Sequence, residues 1–152
     1  MGNFFGSIYC WFEDFFGIPL ADYLWGVSSS VSTNNQYIGI GLWMLAISLI
    51  VAVIYYYVID KPRFATWWGW GIFLGVNAVI NFFVGWQLVL KDYYDGLMVQ
   101  KNPATDVTMP LNISESDILC FGVANMIISL MAFFVISMII KWWSNNCKHA
   151  PF

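Results

Sequence analysis

Charge is scarce in this sequence of 152 residues. Asp, Glu, Lys and Arg make up 10% of the chain, whereas hydrophobic residues make up 60% and aromatic residues 20%. A soluble domain has about 25% charged and about 45–50% apolar residues, so this chain cannot cover a water-facing surface. The composition excludes a soluble enzyme and intrinsic disorder. A net charge of −3 with six Lys and Arg also excludes a nucleic-acid-binding protein.

Residues that catalyse reactions or bind metals are equally scarce. The single histidine, His149, lies beside Cys147 in the last eight residues. Two ligands in a tail are fewer than the three or four that a zinc site uses. The sequence has no Ser, His and Asp set, no glycine-rich phosphate loop and no paired carboxylates facing a core. We therefore expect no catalytic residue, no metal and no cofactor, and we expect that the protein is not an enzyme.

Three long runs without a charged side chain determine the predicted fold. They cover 37–59, 65–90 and 118–140. About 20 apolar residues, at about 1.5 Å per residue, cross a hydrocarbon core of about 30 Å. Too little chain remains outside these runs to bury three such helices in a soluble protein. The sequence thus predicts an all-α integral membrane protein with three transmembrane helices.

Aromatic residues mark the predicted boundaries between membrane and water. Tyr and Trp favour this level because the ring is apolar while its OH or NH group needs water. The aromatic residues that we expect at the interface flank the spans or lie in the N-terminal segment. They are Trp67, Trp68, Trp142 and Trp143 near the spans, and Phe5, Phe12 and Phe16 near the N-terminus.

The first 36 residues form a segment of their own. Their apolar residues recur at the i, i+3, i+4 and i+7 spacing of one helical face, which predicts an amphipathic helix in the membrane interface. Such helices are usually basic and bind anionic lipid, whereas this one carries Glu13 and Asp14. We therefore expect the segment to meet an uncharged leaflet or a protein partner.

The chain divides into three predicted parts. Residues 1–36 are the interfacial segment and its linker, 37–141 are the three-helix transmembrane domain, and 142–152 are a short tail. A loop over 91–117 joins the second and third spans. Ser114-Glu115-Ser116-Asp117 at its end has the pattern of a helix capping box.

Lysine and arginine set the predicted orientation. Four of these residues lie in the turn after the first span and in the tail, and two lie on the opposite side. The first four are Lys61, Arg63, Lys141 and Lys148, and the other two are Lys91 and Lys101. Because basic residues are retained on the cytoplasmic side, we expect the N-terminus outside and the C-terminus in the cytoplasm. The expected location is the bacterial inner membrane.

Two of the three cysteines, Cys10 and Cys120, fall near the outer surface in this orientation, and Cys147 falls inside. Their spacing forms no recognisable disulfide framework, so we expect free thiols. A bridge between Cys10 and Cys120 is the alternative in an oxidising compartment.

Polar residues inside the spans are amides and hydroxyls, with no Asp, Glu, Lys, Arg or His. Proton-coupled transporters and pumps need ionisable groups at membrane depth, so this absence argues against them. Asn77 and Asn81 are four residues apart and share a face of the second span, and Asn125 and Ser129 lie on the third. Because lipid offers an amide no partner, we predict that these two spans pack through their Asn-bearing faces.

Small residues near these amides predict close helix packing. Gly71, Gly75 and Ala78 form a small-xxx-small stripe on the second span, and Gly122 lies on the third. The alternative is that the Asn and Ser side chains line a pore. One chain with three helices is too small to enclose a pathway, so a pore requires several copies.

Two functions remain. The first is a non-enzymatic structural or anchoring subunit of a larger membrane assembly for secretion, transport or envelope function. Its partners would be the lipid bilayer and other membrane subunits or further copies of itself. The second is a homo-oligomeric ion channel or membrane pore lined by the Asn and Ser faces.

Overall fold

The computed structural model describes residues 2–26, 34–58, 67–102 and 107–143. The N-terminal segment contains three short helices, with a 3-10 turn over Cys10–Phe12 between the first two. These helices are α1 (Gly2–Tyr9), α2 (Glu13–Phe16) and α3 (Ile18–Trp25). Three long helices follow, with a two-stranded hairpin between the last two. In chain order, these helices and strands are α4 (Gln36–Val53), α5 (Trp67–Tyr94), β1 (Val99–Lys101), β2 (Thr108–Pro110) and α6 (Glu115–Trp143).

The long helices are long and apolar enough to cross a membrane. A π-helical turn over Ile54–Val58 lengthens α4, so the three candidate spans are Gln36–Tyr57, Trp67–Tyr94 and Glu115–Trp142. The predicted all-α integral membrane protein with three transmembrane helices is therefore confirmed. α5 and α6 each extend beyond the uncharged runs at the end where the hairpin joins them.

One end of the bundle carries most of the remaining structure. Gln36 at the start of α4 bonds to Asp92 near the end of α5, and Tyr94 bonds to Glu115 at the start of α6. Helices α1 and α3 also contact α4, and α1 and α2 contact α6. We call this the hairpin end; it comprises α1–α3, the β-hairpin, the starts of α4 and α6 and the end of α5.

The N-terminal segment is helical, as predicted, but two glycines divide it. Gly17 has φ 94° and lies between α2 and α3, and Gly26 has φ 75° and ends α3. Glycine adopts these angles at little cost, and Pro19 suits the first turn of the new helix. The chain therefore folds back, and the ring of Trp25 lies directly against Gly6, where no side chain would fit.

The apolar face of this segment packs on the protein and not on lipid. Phe5 and Phe16 are buried in the main hydrophobic core, and Phe12 is half-buried against it. These three rings, predicted to lie in the membrane interface, are therefore covered by protein, and their level in the membrane stays a prediction. α1 contacts α4, and α2 contacts α6, so the apolar stripe is covered by the chain's own helices. The large apolar residues that face outward are instead Phe4, Trp11, Phe15 and Ile18.

The predicted loop between the second and third spans contains the short hairpin. Gln100 pairs with Met109 in antiparallel register, and the flanking residues Met98 and Ile113 are buried in the main core. Strands of three residues are too short for an alternating pattern to identify them from sequence. The hairpin is thus anchored on the bundle by its base.

One of the two hydrogen bonds of the predicted capping box before α6 is present. The backbone N–H of Ser114 donates to Asp117 Oδ2 at 2.9 Å. Carboxylates in the first turn of α6 also complement the positive end of the helix dipole. Capping explains why this helix begins at Glu115, before the apolar run.

Cys10 and Cys120 are both free, as expected, and the alternative bridge between them is not formed. Both are half-buried. Burial and the neighbouring Glu13 carboxylate raise the pKa of the Cys10 thiol, which keeps it in the less reactive protonated form. The turn at 60–63 and the tail with Cys147 and His149 lie outside the described residues.

Candidate functional site

The largest helix contact in the bundle, between α5 and α6, contains the intramembrane amides. Asn77, Asn81, Asn125 and Ser129 are all fully buried. The two helices run antiparallel, which brings the middle of α5 beside the first half of α6. The four residues singled out from the sequence therefore lie together inside a single chain.

These side chains form a chain of hydrogen bonds across the helix contact. Asn125 Nδ2 donates to the backbone carbonyl of Asn81 at 2.7 Å, and Asn77 Nδ2 donates to the carbonyl of Ser129 at 3.2 Å. Asn81 Nδ2 donates to Asn77 Oδ1 at 3.1 Å. Each helix thus donates one side-chain amide to the backbone of the other. An interhelical bond of this kind contributes about 0.6–2 kcal/mol in a membrane.

Tyr9 joins the N-terminal segment to this amide chain. Its hydroxyl donates to Asn125 Oδ1 at 2.5 Å. The ring is fully buried and stacks on Tyr37 and Phe121, with centroid distances of 5.0 and 5.5 Å. Asn125 lies ten residues into α6, or about 15 Å along its axis. The N-terminal segment therefore reaches an amide deep inside the bundle.

Tyr9 belongs to the apolar face that the residue spacing of the N-terminal segment predicts, but this spacing assigns no role to its hydroxyl. The available signal was a single tyrosine among phenylalanines on that face. A buried tyrosine usually finds a partner for its hydroxyl. The partner, however, is 116 positions away and is visible only in the folded chain.

Several buried polar atoms have no hydrogen-bond partner among the described residues. They include Asn81 Oδ1, the Tyr37 hydroxyl and the hydroxyls of Ser48 and Ser137. Hydroxyls and amides of this kind bind by hydrogen bonding and do not titrate in the physiological range. The bonded amides of this interior thus hold α5 and α6 together.

A second polar cluster lies at the hairpin end. Gln36 Nε2 donates to Asp92 Oδ2 at 2.8 Å, and the Tyr23 hydroxyl donates to the same oxygen at 3.2 Å. Burial raises the pKa of Tyr23 to about 12, and the charge of Asp92 adds to the effect. This cluster connects α3, α4 and α5, so it holds the N-terminal segment against the bundle.

Two of the predicted packing glycines, Gly71 and Gly75, do not pack within the chain. Both are exposed, and no heavy atom of the described residues lies within 4 Å of the position that a Cβ would occupy. The described helices of this chain therefore do not pack on these two glycines, and their role in helix packing stays a prediction. Gly75 would face the neighbouring helices in place of Asn81 only if α5 were rotated by about 120° about its axis. This rotation would expose the Asn81 amide to lipid. The amides, and not the glycines, determine which face of α5 is buried.

The other predicted small residues lie on the buried side. Ala78 is buried, and a Cβ on Gly122 would lie 3.1 Å from Trp86 Cβ. Gly85 was not identified from the sequence, yet a Cβ there would lie 2.6 Å from Asn125 Nδ2. Gly85 thus leaves the space that the Asn125 amide occupies.

The tryptophans near the spans are exposed, as interfacial residues should be. The side chains of Trp67, Trp68 and Trp142 are 62%, 84% and 92% exposed. All three lie at the end of the bundle opposite the hairpin end. The side chain of Trp143 lies outside the described part of the chain.

Within the described residues, no group of three or more His, Cys, Asp or Glu is placed to hold a metal ion. No known protein family, curated protein or solved structure matches the chain. The function must therefore be argued from the geometry and charge of the chain itself.

We expect Tyr9→Phe to lower the free energy of unfolding by about 1–3 kcal/mol, because it leaves Asn125 Oδ1 buried without its donor. Tyr37→Phe is the matched control, since this neighbouring hydroxyl has no partner among the described residues and its loss should cost less than about 0.5 kcal/mol. Unfolding in mixed micelles, followed by circular dichroism, measures both. Equal losses in the two variants would contradict the assigned bond.

Proposed function

We propose that this chain is a non-enzymatic subunit of a larger multi-protein membrane assembly, with a structural or anchoring role in secretion, transport or envelope function. The observation that supports the proposal is the contrast between two faces of α5. One face uses its amides within the chain, and the other presents glycines that none of the described residues covers.

The uncovered face has the features of a helix-docking surface. Gly71 and Gly75 have the spacing of a GxxxG motif, which lets a second transmembrane helix approach closely. Both glycines are exposed with open space above them. An open groove of about 530 Å³ is lined by Gly71 together with Trp67 and Trp68. A partner helix seated here would gain van der Waals contact without the loss of any hydrogen bond.

The exposed side of the N-terminal segment offers a second surface for a partner. Trp11, Phe15 and Ile18 are exposed there, and the carboxylate of Asp14 lies among them in the sequence. Acidic charge disfavours anionic lipid, whereas a protein partner with basic groups complements it. This charge supports a role in assembly.

The alternative function, a homo-oligomeric channel lined by Asn77, Asn81, Asn125 and Ser129, receives less support. All four residues are fully buried between α5 and α6 of one chain. A pore formed by several copies would either have to break the hydrogen bonds between α5 and α6 or be lined by other residues. We therefore favour the subunit over the channel.

Replacing Gly71 and Gly75 together by Leu should release the chain from its assembly, because the added side chains fill the space needed by a partner helix. Ala46→Leu adds bulk to an exposed position on α4 and should leave the assembly intact. Native mass spectrometry of particles extracted in mild detergent measures the outcome. We expect masses well above 17.4 kDa for the wild type and Ala46→Leu, and 17.4 kDa for the double variant.

The added mass also separates the two kinds of partner. Multiples of 17.4 kDa indicate further copies of this chain, and other masses indicate different subunits. A wild-type chain that leaves native membranes as a single 17.4 kDa monomer would contradict the proposal.

We also propose that the chain lies in the bacterial inner membrane with its hairpin end outside. Four of the six basic residues belong to the opposite end, which supports a cytoplasmic location for that end. Residues 1–36 and 91–117 contain eight carboxylates and only two lysines, so little positive charge retains the hairpin end inside.

Cysteine labelling in intact cells tests this orientation. The native cysteines are first replaced by Ser, and Thr108→Cys or Ser144→Cys is then introduced. We expect an impermeant maleimide to label Thr108→Cys and to reach Ser144→Cys only after the cells are opened. The reverse pattern would invert the orientation.

A further inference from the structure

We propose that the chain binds a lipid with a primary-ammonium head group, such as phosphatidylethanolamine, in a groove between α4 and α5 at the hairpin end. This site is separate from the glycine face of α5 on which the proposed assembly depends. Four observations support it: the shape of the groove, the depth at which its residues lie, its charge and its open floor.

The groove has a volume of about 270 Å³ and is open on one side. Its lining is polar at one end and apolar at the other. The polar residues are Asn35, Gln36 and Asp92, and the apolar ones include Gly39, Trp43 and Leu88. This polarity gradient matches that of a lipid.

The depth of each residue follows the same gradient. Gln36 begins α4, and Gly39 and Trp43 lie about 4.5 Å and about 10 Å further along that helix. On α5, Leu88 lies about 6 Å deeper than Asp92, which follows the uncharged run. The polar end therefore lies at the level of lipid head groups, and the apolar end lies among the acyl chains.

Charge selects the head group. The Asp92 carboxylate accepts hydrogen bonds from Gln36 and Tyr23, which are both neutral donors. None of the described residues forms an ion pair with it, so the charge at this end of the groove is left for a ligand to neutralise. A primary ammonium supplies both a positive charge and N–H donors to a carboxylate. A choline head group has no N–H donor, and an anionic head group is repelled.

Gly39 lies at the bottom of the groove and has no side chain to fill it. In the part of the chain that the structure describes, no heavy atom lies within 4 Å of the position that its Cβ would occupy. The exposed ring of Trp43 forms the apolar wall about one turn further along the same helix. An acyl chain that runs from the head-group level past Gly39 would contact this ring, so the apolar part of the ligand is bound as well as its head group.

Lipid titration of the purified full chain, followed by native mass spectrometry, tests the site. Phosphatidylethanolamine, phosphatidylcholine and phosphatidylglycerol with identical acyl chains are added in turn. We expect phosphatidylethanolamine to bind about tenfold more tightly than the other two, as one charge-assisted bond allows. Equal binding of the three lipids by the wild-type chain would overturn the proposal.

Asp92→Asn removes the charge and keeps an oxygen that accepts the bonds from Gln36 and Tyr23. We expect this variant to lose the preference for phosphatidylethanolamine, with all three lipids binding within about twofold of each other. Asp95→Asn, three residues further on and exposed, is the matched control and should keep the preference. A preference that survives in Asp92→Asn would overturn the role of this carboxylate.

Gly39→Leu provides an independent test, because its side chain enters open space and does not disturb the packed core. We expect it to weaken phosphatidylethanolamine binding about tenfold or more by filling the groove. Ala46→Leu adds bulk to an exposed position of the same helix outside the groove and should bind as the wild type does. Unchanged binding by Gly39→Leu would overturn the assigned groove, whatever the result of the assembly experiment.

Discussion

The need to pair every amide within the membrane is the constraint on which this fold depends. Hydrocarbon offers no hydrogen-bond partner, so a side-chain amide in a transmembrane helix must find one in the protein. Asn77, Asn81 and Asn125 do so across one helix contact. Their pairing determines the rotation of α5 and its register against α6. It also explains why Gly85, which leaves room for the Asn125 amide, lies on the packed face while Gly75 faces outward.

The same constraint extends to the N-terminal segment. Asn125 has an acceptor oxygen left over after its own amide donates to Asn81, and the hydroxyl of Tyr9 satisfies it. The stacked rings around Tyr9 and the polar contacts of Tyr23 hold this segment on the bundle. A region that resembles an independent interfacial helix in sequence is thus part of the core. The described residues cover neither the outer surface of this segment, which carries Asp14, nor the glycine face of α5.

Local patterns in the sequence predicted the features that depend on near neighbours. Uncharged runs predicted the three spans, Ser114 and Asp117 predicted the cap of α6, and the four-residue spacing of Asn77 and Asn81 predicted a shared face. Features that depend on distant residues were missed or misassigned. The burial of Phe5 and Phe16 requires α4 and α6 as a cover, and periodicity does not distinguish a protein cover from lipid. The outward position of Gly71 likewise follows from amide pairing and not from the glycine spacing.

The central claim is that the Tyr9 hydroxyl and the Asn125 amide form one buried bond that joins the N-terminal segment to the transmembrane helices. A double-mutant cycle that combines Tyr9→Phe with Asn125→Leu measures this bond directly, through the free energy of unfolding of the two single variants and the double variant. The account predicts a coupling energy of about 1–2 kcal/mol between the two sites. Strictly additive effects, with a coupling energy near zero, would contradict it.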